Sequence, residues 1–170
     1  MLKLALTVKV IRRDGREELV YKGPSRSYLG HFAKMLFGVL DNSNQSGFKD
    51  TGGAAFTLRS GGDMNASVVE VALGTGTADV TPDDYTLTNL TKITTYRYRQ
   101  NFTTWGHSLF IGLRCAEQSE SWSESGLVQD LYDGGGVRRE TLLARDVFPS
   151  TVSLDPGDLL VVAYRIVVAV

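Results

Sequence analysis

A strict alternation of apolar and polar residues in the first segment constrains the fold of this 170-residue chain more than any other feature. The apolar residues occupy every second position: Leu2, Leu4, Leu6, Val8 and Val10. Because side chains alternate between the two faces of a strand, this spacing predicts a β-strand with one buried face. Asp14-Gly15, a dipeptide typical of hairpin turns, comes next, and residues 17–22 predict the return strand. The segment is therefore predicted to be an antiparallel hairpin.

Short apolar runs separated by Gly-rich turns continue along the chain. They predict strands over residues 54–59, 66–73, 93–102, 108–116, 140–148 and 159–170, with residues 151–154 left open between a short strand and a loop. The final strand is apolar on both faces, which predicts either a central place in its sheet or a cover from a neighbouring subunit. Residues 1–170 are predicted to be one mainly β domain, an antiparallel β-sandwich or jelly roll of roughly nine or ten strands.

One stretch has helical periodicity and predicts an α-helix over about residues 26–40. Its apolar residues recur at spacings of three and four: Tyr28, Leu29, Phe32, Met35, Leu36, Val39 and Leu40. Ser25 or Ser27 can cap the helix. The apolar side must be covered by the sandwich or by a neighbouring subunit, and three of its residues are candidate interface residues: Phe32, Leu36 and Leu40.

Residues 41–53 are rich in Asn, Ser, Gln and Gly, and they predict a long loop that is flexible or is ordered by a partner. The aromatic residue of this loop, Phe48, is a candidate interface residue. Trp105, Trp122 and Tyr132 are further candidates, for which two interpretations remain open. They lie in the core or at a subunit interface, or they form a sugar-binding platform with Asp133.

The charge pattern argues against two classes of partner. The net charge is −1, with no basic tail and no long run of one sign. Nucleic acid is therefore not expected as the main partner, because phosphate binding needs clustered Lys and Arg. Anchoring by charge to an anionic membrane is not expected either, and no apolar run is long enough to span a bilayer. The first ten residues lack a cleavage-like site, so a strand is expected there and not a signal peptide.

No residue pattern points to catalysis or to a bound cofactor. Cys115 is the only cysteine, and it is expected to be a small buried hydrophobic residue. His31, expected among the polar residues of the helix, and His107 have no acidic or second histidine partner nearby in sequence. We therefore expect no enzyme activity, no catalytic residues and no metal, nucleotide or organic cofactor.

Two short motifs need separate interpretation. Residues 74–77, Gly-Thr-Gly-Thr, lack the third glycine and the following helix of a nucleotide-binding loop, and they predict a tight turn. Thr81-Pro82-Asp83-Asp84 predicts a single capped turn, with Thr81 as the cap. A calcium ion at Asp83 and Asp84 would be the least surprising exception to the absence of metals.

Four segments, in order, resemble the structural proteins of tailed-bacteriophage virions. They are residues 25–36, residues 69–87 with Gly-Thr-Gly-Thr and Pro-Asp-Asp-Tyr, residues 123–127 (Ser-Glu-Ser-Gly-Leu), and residues 141–148 (Thr-Leu-Leu-Ala-Arg-Asp-Val-Phe). A Pro-Gly-Asp turn and a closing strand follow the fourth segment, as in that family. The resemblance implies a non-enzymatic structural role in a virus particle.

Within the virion, the resemblance leaves several locations open. We expect a capsid decoration or cementing protein that stabilises the shell, because the loop over residues 41–53 could order across a seam between shell subunits. Expected partners are the major capsid protein or tail proteins, and a homo-oligomer, such as a trimer, is expected. The protein would be made in the host cytoplasm and carried in the virion. The alternatives are a tail or neck component, or a receptor- or carbohydrate-binding β-sandwich of a tail fibre.

Overall fold

The computed structural model describes residues 2–25, 30–41, 43–59, 69–101 and 105–169. Within these ranges the chain forms eleven strands and one helix. In chain order they are β1 (Leu2–Ile11), β2 (Glu17–Pro24), α1 (Gly30–Asp41), β3 (Gln45–Lys49), β4 (Ala55–Leu58), β5 (Val69–Gly74), β6 (Thr91–Lys92), β7 (Thr94–Asn101), β8 (Trp105–Cys115), β9 (Glu120–Tyr132), β10 (Arg138–Leu154) and β11 (Leu159–Ala169).

Antiparallel pairing assembles most of these strands into two sheets that pack face to face. The five-stranded sheet has the order β2-β1-β11-β8-β7, and the four-stranded sheet has the order β10-β9-β5-β6. A short hairpin of β3 and β4 lies beside the second sheet and contacts it through a bridge between Leu58 and Asp133. The prediction of a mainly β antiparallel sandwich with one helix is confirmed. The predicted Asp14-Gly15 hairpin also forms, with Gly15 at a φ of +85°.

The five-stranded sheet is buried on its inner face only. β11 pairs with β1 on one side and with β8 on the other, so it is central in the sheet, one of the two places that its sequence predicted. The inner side chains of this sheet form much of the core: Leu4, Leu6, Val8, Val10, Phe110, Leu160, Val162 and Tyr164. The outer side chains of β11 alternate with them and remain partly exposed.

The four-stranded sheet is covered on both faces. Residues 122–131 of β9 are buried without interruption, which requires a cover on each side of the strand. The five-stranded sheet covers one face. The segment over residues 75–90 lies across the other, where Leu87 packs with Ala72, Val128 and Leu142. β9 was not predicted as a strand, because polar residues such as Ser123, Glu124 and Ser125 occupy its buried positions.

The helix differs from its prediction in three respects. It runs to Asp41, and the predicted residues 26–29, including Ser27, lie outside the described part of the chain. The Ser25 hydroxyl, one of the two predicted caps, donates to Asp146 Oδ2 of β10 at 2.7 Å. His31 is buried and not on a polar face. Phe32 packs into the core, whereas the side chains of Leu36 and Leu40 are not among those described.

The long loop predicted over residues 41–53 is wrong. Asp41 ends the helix, and residues 45–49 form β3, which pairs with β4. Phe48 is 0% exposed and packs against the rings of His31 and Phe56, each with its centroid 5.3 Å away. One large aromatic side chain thus anchors an otherwise polar strand. Phe48 is a core residue and not an exposed interface residue.

The other aromatic candidates also find places in the fold. Trp122 is buried in the core, so it is not part of an exposed sugar platform. Tyr132 is partly buried at the end of β9. The backbone of Trp105 pairs with Ala169, and its side chain, like that of His107, is not among those described.

Cys115 is exposed and not buried, because it pairs with Leu159 and therefore shares the outer face of the five-stranded sheet. Across the described ranges no helix is both long enough and apolar enough to cross a bilayer.

Candidate functional site

A buried arginine joins two carboxylates from distant parts of the chain. Arg145 lies on β10, Glu124 on the neighbouring β9, and Asp84 in the segment that covers this sheet. Arg145 Nε donates to Glu124 Oε2 at 2.6 Å, and Arg145 Nη1 donates to Asp84 Oδ2 at 2.7 Å. The Arg145 side chain is 7% exposed and the Glu124 side chain 0%. We call these three residues the Arg145 cluster.

Backbone carbonyl groups complete the contacts of this guanidinium. Arg145 Nη2 donates to the carbonyl oxygen of Ala78 at 3.1 Å. Burial alone would lower the pKa of Arg145, but its bonds to Asp84 and Glu124 raise it. The guanidinium therefore remains charged, and it ties the covering segment to the sheet beneath it.

The glycine-rich turn holds the other oxygen of Glu124. Gly76 N and Thr88 N donate to Glu124 Oε1 at 2.9 and 2.7 Å. A Cβ atom at Gly74 or at Gly76 would lie 2.5 Å from that same oxygen, closer than real contacts allow. Like a phosphate-binding loop, the turn directs backbone amides at an anion, but here the anion is a carboxylate of the chain itself. The requirement for glycine follows from this close approach.

Gly76→Ala is expected to lower the free energy of unfolding by roughly 1–3 kcal/mol, the usual cost of forcing extra atoms into a packed site. The added methyl group would push against Glu124 Oε1 and Thr88 Oγ1. Chemical denaturation of the purified variant measures this change. Gly134→Ala is the matched control, because a Cβ atom there meets nothing within 4 Å. Equal stability of the two variants would contradict the close approach.

Asp84 is held by the turn that precedes it. Thr81 N donates to Asp84 Oδ2 at 3.0 Å, and Thr81 Oγ1 donates to Asp84 Oδ1 at 2.8 Å. Both bonds run from Thr81 to Asp84, whereas the predicted cap requires the Thr81 hydroxyl to accept. Asp84 N donates instead to the Thr81 carbonyl oxygen at 3.2 Å, which closes a turn and not a helical turn. Burial by itself would raise the pKa of Asp84, yet the bonds from Thr81 and Arg145 together lower it.

The Arg145 guanidinium takes the position beside Asp84 that a cation would occupy. Asp83, the other residue of the suggested calcium site, is exposed. In the parts of the chain that the structure describes, no three His, Cys, Asp or Glu side chains gather as a metal site requires. The contacts of Asp84 therefore favour an internal ion pair over a calcium ion.

A second polar group links the two sheets inside the core. Ser125 of β9 and Tyr164 of β11 are hydrogen-bonded through their hydroxyl groups at 2.8 Å. Asp146 of β10 accepts the Ser25 hydroxyl nearby. Burial, reinforced by Asp146, raises the pKa of the Tyr164 hydroxyl well above its ordinary value. These groups are engaged with one another and buried, so they fit a structural role better than a nucleophilic one.

His31 also has a structural role. Its Nδ1 donates to the carbonyl oxygen of Leu142 at 3.4 Å, and its Nε2 accepts from Lys49 N at 3.2 Å. Burial lowers the pKa of this histidine, so the neutral ring is favoured. A neutral ring can donate from one nitrogen and accept at the other, which matches both contacts. His31 thereby ties α1 to β10 and to β3.

An open cleft lies between the Asp14-Gly15 hairpin and the Pro156-Gly157 turn. Its volume is about 920 Å³, and its lining mixes three arginines with several carboxylates. Arg12 pairs with Glu18 at 2.6 Å and with Asp158 at 2.8 Å. Positive and negative side chains therefore line the cleft together, and Arg12 is paired with carboxylates. The lining does not favour a ligand of one particular charge.

The sequence alone located the segments of the Arg145 cluster but not their contacts. Gly-Thr-Gly-Thr, Pro-Asp-Asp-Tyr, Ser-Glu and Ala-Arg-Asp were each singled out, but as separate motifs. One signal could have linked them: Arg145-Asp146 places two charges inside an apolar run. Charges in such a run must be paired when the run is buried.

Comparisons of this chain with protein-family models, with curated proteins and with solved structures found no match.

Proposed function

We propose that this chain is a non-enzymatic structural protein of a tailed-phage particle, and that it decorates the outside of the capsid shell and stabilises it. One observation carries the proposal. Hydrogen bonds link the four segments that resemble virion proteins, residues 25–36, 69–87, 123–127 and 141–148, into one connected group. They are brought together around the Arg145 cluster, although about 120 residues separate the first from the last.

The contacts between these segments are specific hydrogen bonds. Gly30 N, in the first segment, donates to the carbonyl oxygen of Pro82, in the second, at 2.9 Å. His31 bonds to Leu142 in the fourth segment, and Glu124 in the third bonds to Gly76 and to Arg145. A resemblance that includes residues of these contacts is the pattern that a shared fold would leave. A chance resemblance has no reason to select residues that touch.

A structural role also agrees with how the polar side chains are used. Three buried polar groups form hydrogen bonds within the protein: the Arg145 cluster, the Ser125–Tyr164 pair and His31. Catalysis needs such groups at a surface that substrate can reach. These three groups are instead bonded within the protein, to side chains and to backbone. This favours a particle component over an enzyme.

A surface of the five-stranded sheet, and not the segment over residues 41–53, favours the decoration role. The segment over residues 41–53 is a helix end and a strand, so it is not a long loop that could order across a seam. What favours attachment to a large surface is the outer face of the five-stranded sheet, which is apolar and open to solvent. A sugar-binding role is less favoured, because Trp122 is buried.

Binding to purified particles tests the proposal directly. Empty shells and tails, from particles of the phage that encodes this chain made without it, would be mixed with the purified protein and sedimented. We expect saturable binding to shells, little binding to tails, and a higher rupture temperature for decorated shells. The mass of the free protein in solution would show whether it forms the proposed homo-oligomer.

Two outcomes would change the proposal. Binding to tails alone, or immunogold labelling at the neck, would favour the tail or neck component. Binding to neither shells nor tails, with no copy of the protein in wild-type particles, would contradict a virion role altogether.

A further inference from the structure

The outer face of the five-stranded sheet is a broad apolar surface open to solvent. The strand register places its centre on β8 and β11, where paired residues point to the same side. Six of the central residues are apolar and only partly buried, with Arg165 between the last two: Leu109, Ile111, Leu113, Val161, Ala163 and Val167. The matching face of the four-stranded sheet is covered by the segment over residues 75–90. Within the described ranges, one outer sheet face is therefore covered and the other is open.

The edges of this open face expose large side chains. Tyr96 and Tyr98 on β7 are 59% and 55% exposed, and they lie opposite Ile111 and Leu109. Leu19 on β2, at the other edge, is 61% exposed and lies opposite Lys9. Within the described ranges four large hydrophobic residues are this exposed, and three of them belong to this face. Exposed apolar area concentrated in one place marks an interaction surface.

The charges on the same face are mainly positive. Its four cationic residues are Lys3, Lys9, Lys22 and Arg165. The anionic residue that the register places there is Glu17, which pairs with Lys9 at 3.1 Å. The chain as a whole carries a net charge of −1, so the positive charge of this face is a local feature. Such asymmetry favours a partner surface of the opposite sign.

We propose that this face docks on an acidic protein surface. The occupant that we infer, which rests on the proposed function, is a patch of Asp and Glu side chains around an apolar centre on the capsid shell. The face spans five strands of about 4.8 Å spacing and roughly eight residues of about 3.4 Å each, on the order of 600 Å². A standard interface buries about 800 Å² per partner, so the face approaches the size of one stable contact.

Two other occupants fit the face less well. A second copy of the chain would bring the cations of one face against those of the other, which costs energy. Contacts within a homo-oligomer are then expected on another surface. Single-stranded nucleic acid needs aromatic rings close to phosphate-binding cations. Here three of the four cations, Lys3, Lys9 and Lys22, lie on β1 and β2, at least three strand positions or about 14 Å from the tyrosines of β7. Only Arg165 on β11 is nearer, at two strand positions.

Charge reversal on the face tests the inference. The double variant Lys22→Glu/Arg165→Glu changes two exposed residues, so its fold should be kept, and circular dichroism would check this. We expect its affinity for purified empty shells to fall by about tenfold or more, and wild-type binding to weaken as salt rises. Arg13→Glu/Arg16→Glu, with the same change in net charge at exposed sites elsewhere, should bind within about threefold of wild type. Tyr96→Ser tests the apolar part and should also weaken binding.

Each alternative result is distinguishable from the others. Equal binding by both double variants would overturn the docking face while leaving the decoration role intact. Failure of the wild-type chain to bind shells would overturn the decoration role itself. Wild-type self-association that Lys22→Glu/Arg165→Glu abolishes would assign the face to a second copy. Binding of a (dT)-oligonucleotide that the same variant abolishes would assign it to nucleic acid.

Discussion

Replacing Arg145 by methionine is expected to lower the free energy of unfolding by about 3–5 kcal/mol, the usual cost of removing one partner from a buried ion pair. Methionine has a similar length, but it leaves the fully buried Glu124 carboxylate without its cation, and it leaves Asp84 without the bond that fixes the covering segment. Urea denaturation followed by circular dichroism would measure the loss.

Lys9→Met is the matched control for this variant. Lys9 pairs with Glu17 at 3.1 Å, but both side chains are partly exposed, so we expect a change of at most about 1 kcal/mol. A similarly small loss in Arg145→Met would contradict the view that the Arg145 cluster holds the covering segment on the sheet.

The same variant should also change how stability depends on pH. Because the folded pKa of Asp84 is lowered, the contribution of Asp84 is fully present above the pKa of an unfolded aspartate, about 3.9, and it is lost as pH falls through the lower folded value. Arg145→Met removes one of the bonds that lower this pKa. Its stability should therefore fall less steeply than that of the wild type below about pH 4.

Phe48→Ala is expected to lower the free energy of unfolding by about 3–5 kcal/mol, as other buried phenylalanine truncations do. Phe48 is fully buried between His31 and Phe56, and the void would lie where α1, β3 and β4 meet. Thermal and urea unfolding would measure the change. Leu19→Ala, at an exposed position, is the control and should stay within about 0.5 kcal/mol. If Phe48→Ala left the free energy of unfolding unchanged, the packing of β3 on the core would be contradicted. The loop that the sequence predicted there would then be favoured.

The strands that could be predicted are those with many apolar residues, either alternating with polar ones, as in β1, or in an almost continuous run, as in β5 and β10. β1 and its hairpin partner were visible because apolar residues take every second position and Asp14-Gly15 suits a tight turn. β9 could not be predicted as a strand, because its buried positions include Ser123, Glu124 and Ser125. These polar residues can be buried only through partners on distant segments. β3 could not be predicted either, because a single residue, Phe48, fixes it to the core and one apolar residue makes no periodic pattern.

The candidate site shows the same division between local and distant information. The glycines of the Gly-Thr-Gly turn were recognised, but their purpose depends on Glu124, about 50 residues further along the chain. The burial predicted for Cys115 was wrong, because apolar neighbours in sequence do not reveal which face of a strand is covered. Pair contacts over such separations are a property of the sheet order, which periodicity does not encode.

The central position of β11 has a consequence for the order of folding. β11 is the last strand along the chain, yet it separates β1, the first strand, from β8. Until it has left the ribosome, the β1–β2 hairpin and the β7–β8 pair have no strand to join them. The five-stranded sheet can then assemble only after synthesis of β11, through contacts of very long sequence separation, which slow folding. Before that, the apolar sides of both strand pairs are exposed, which favours aggregation.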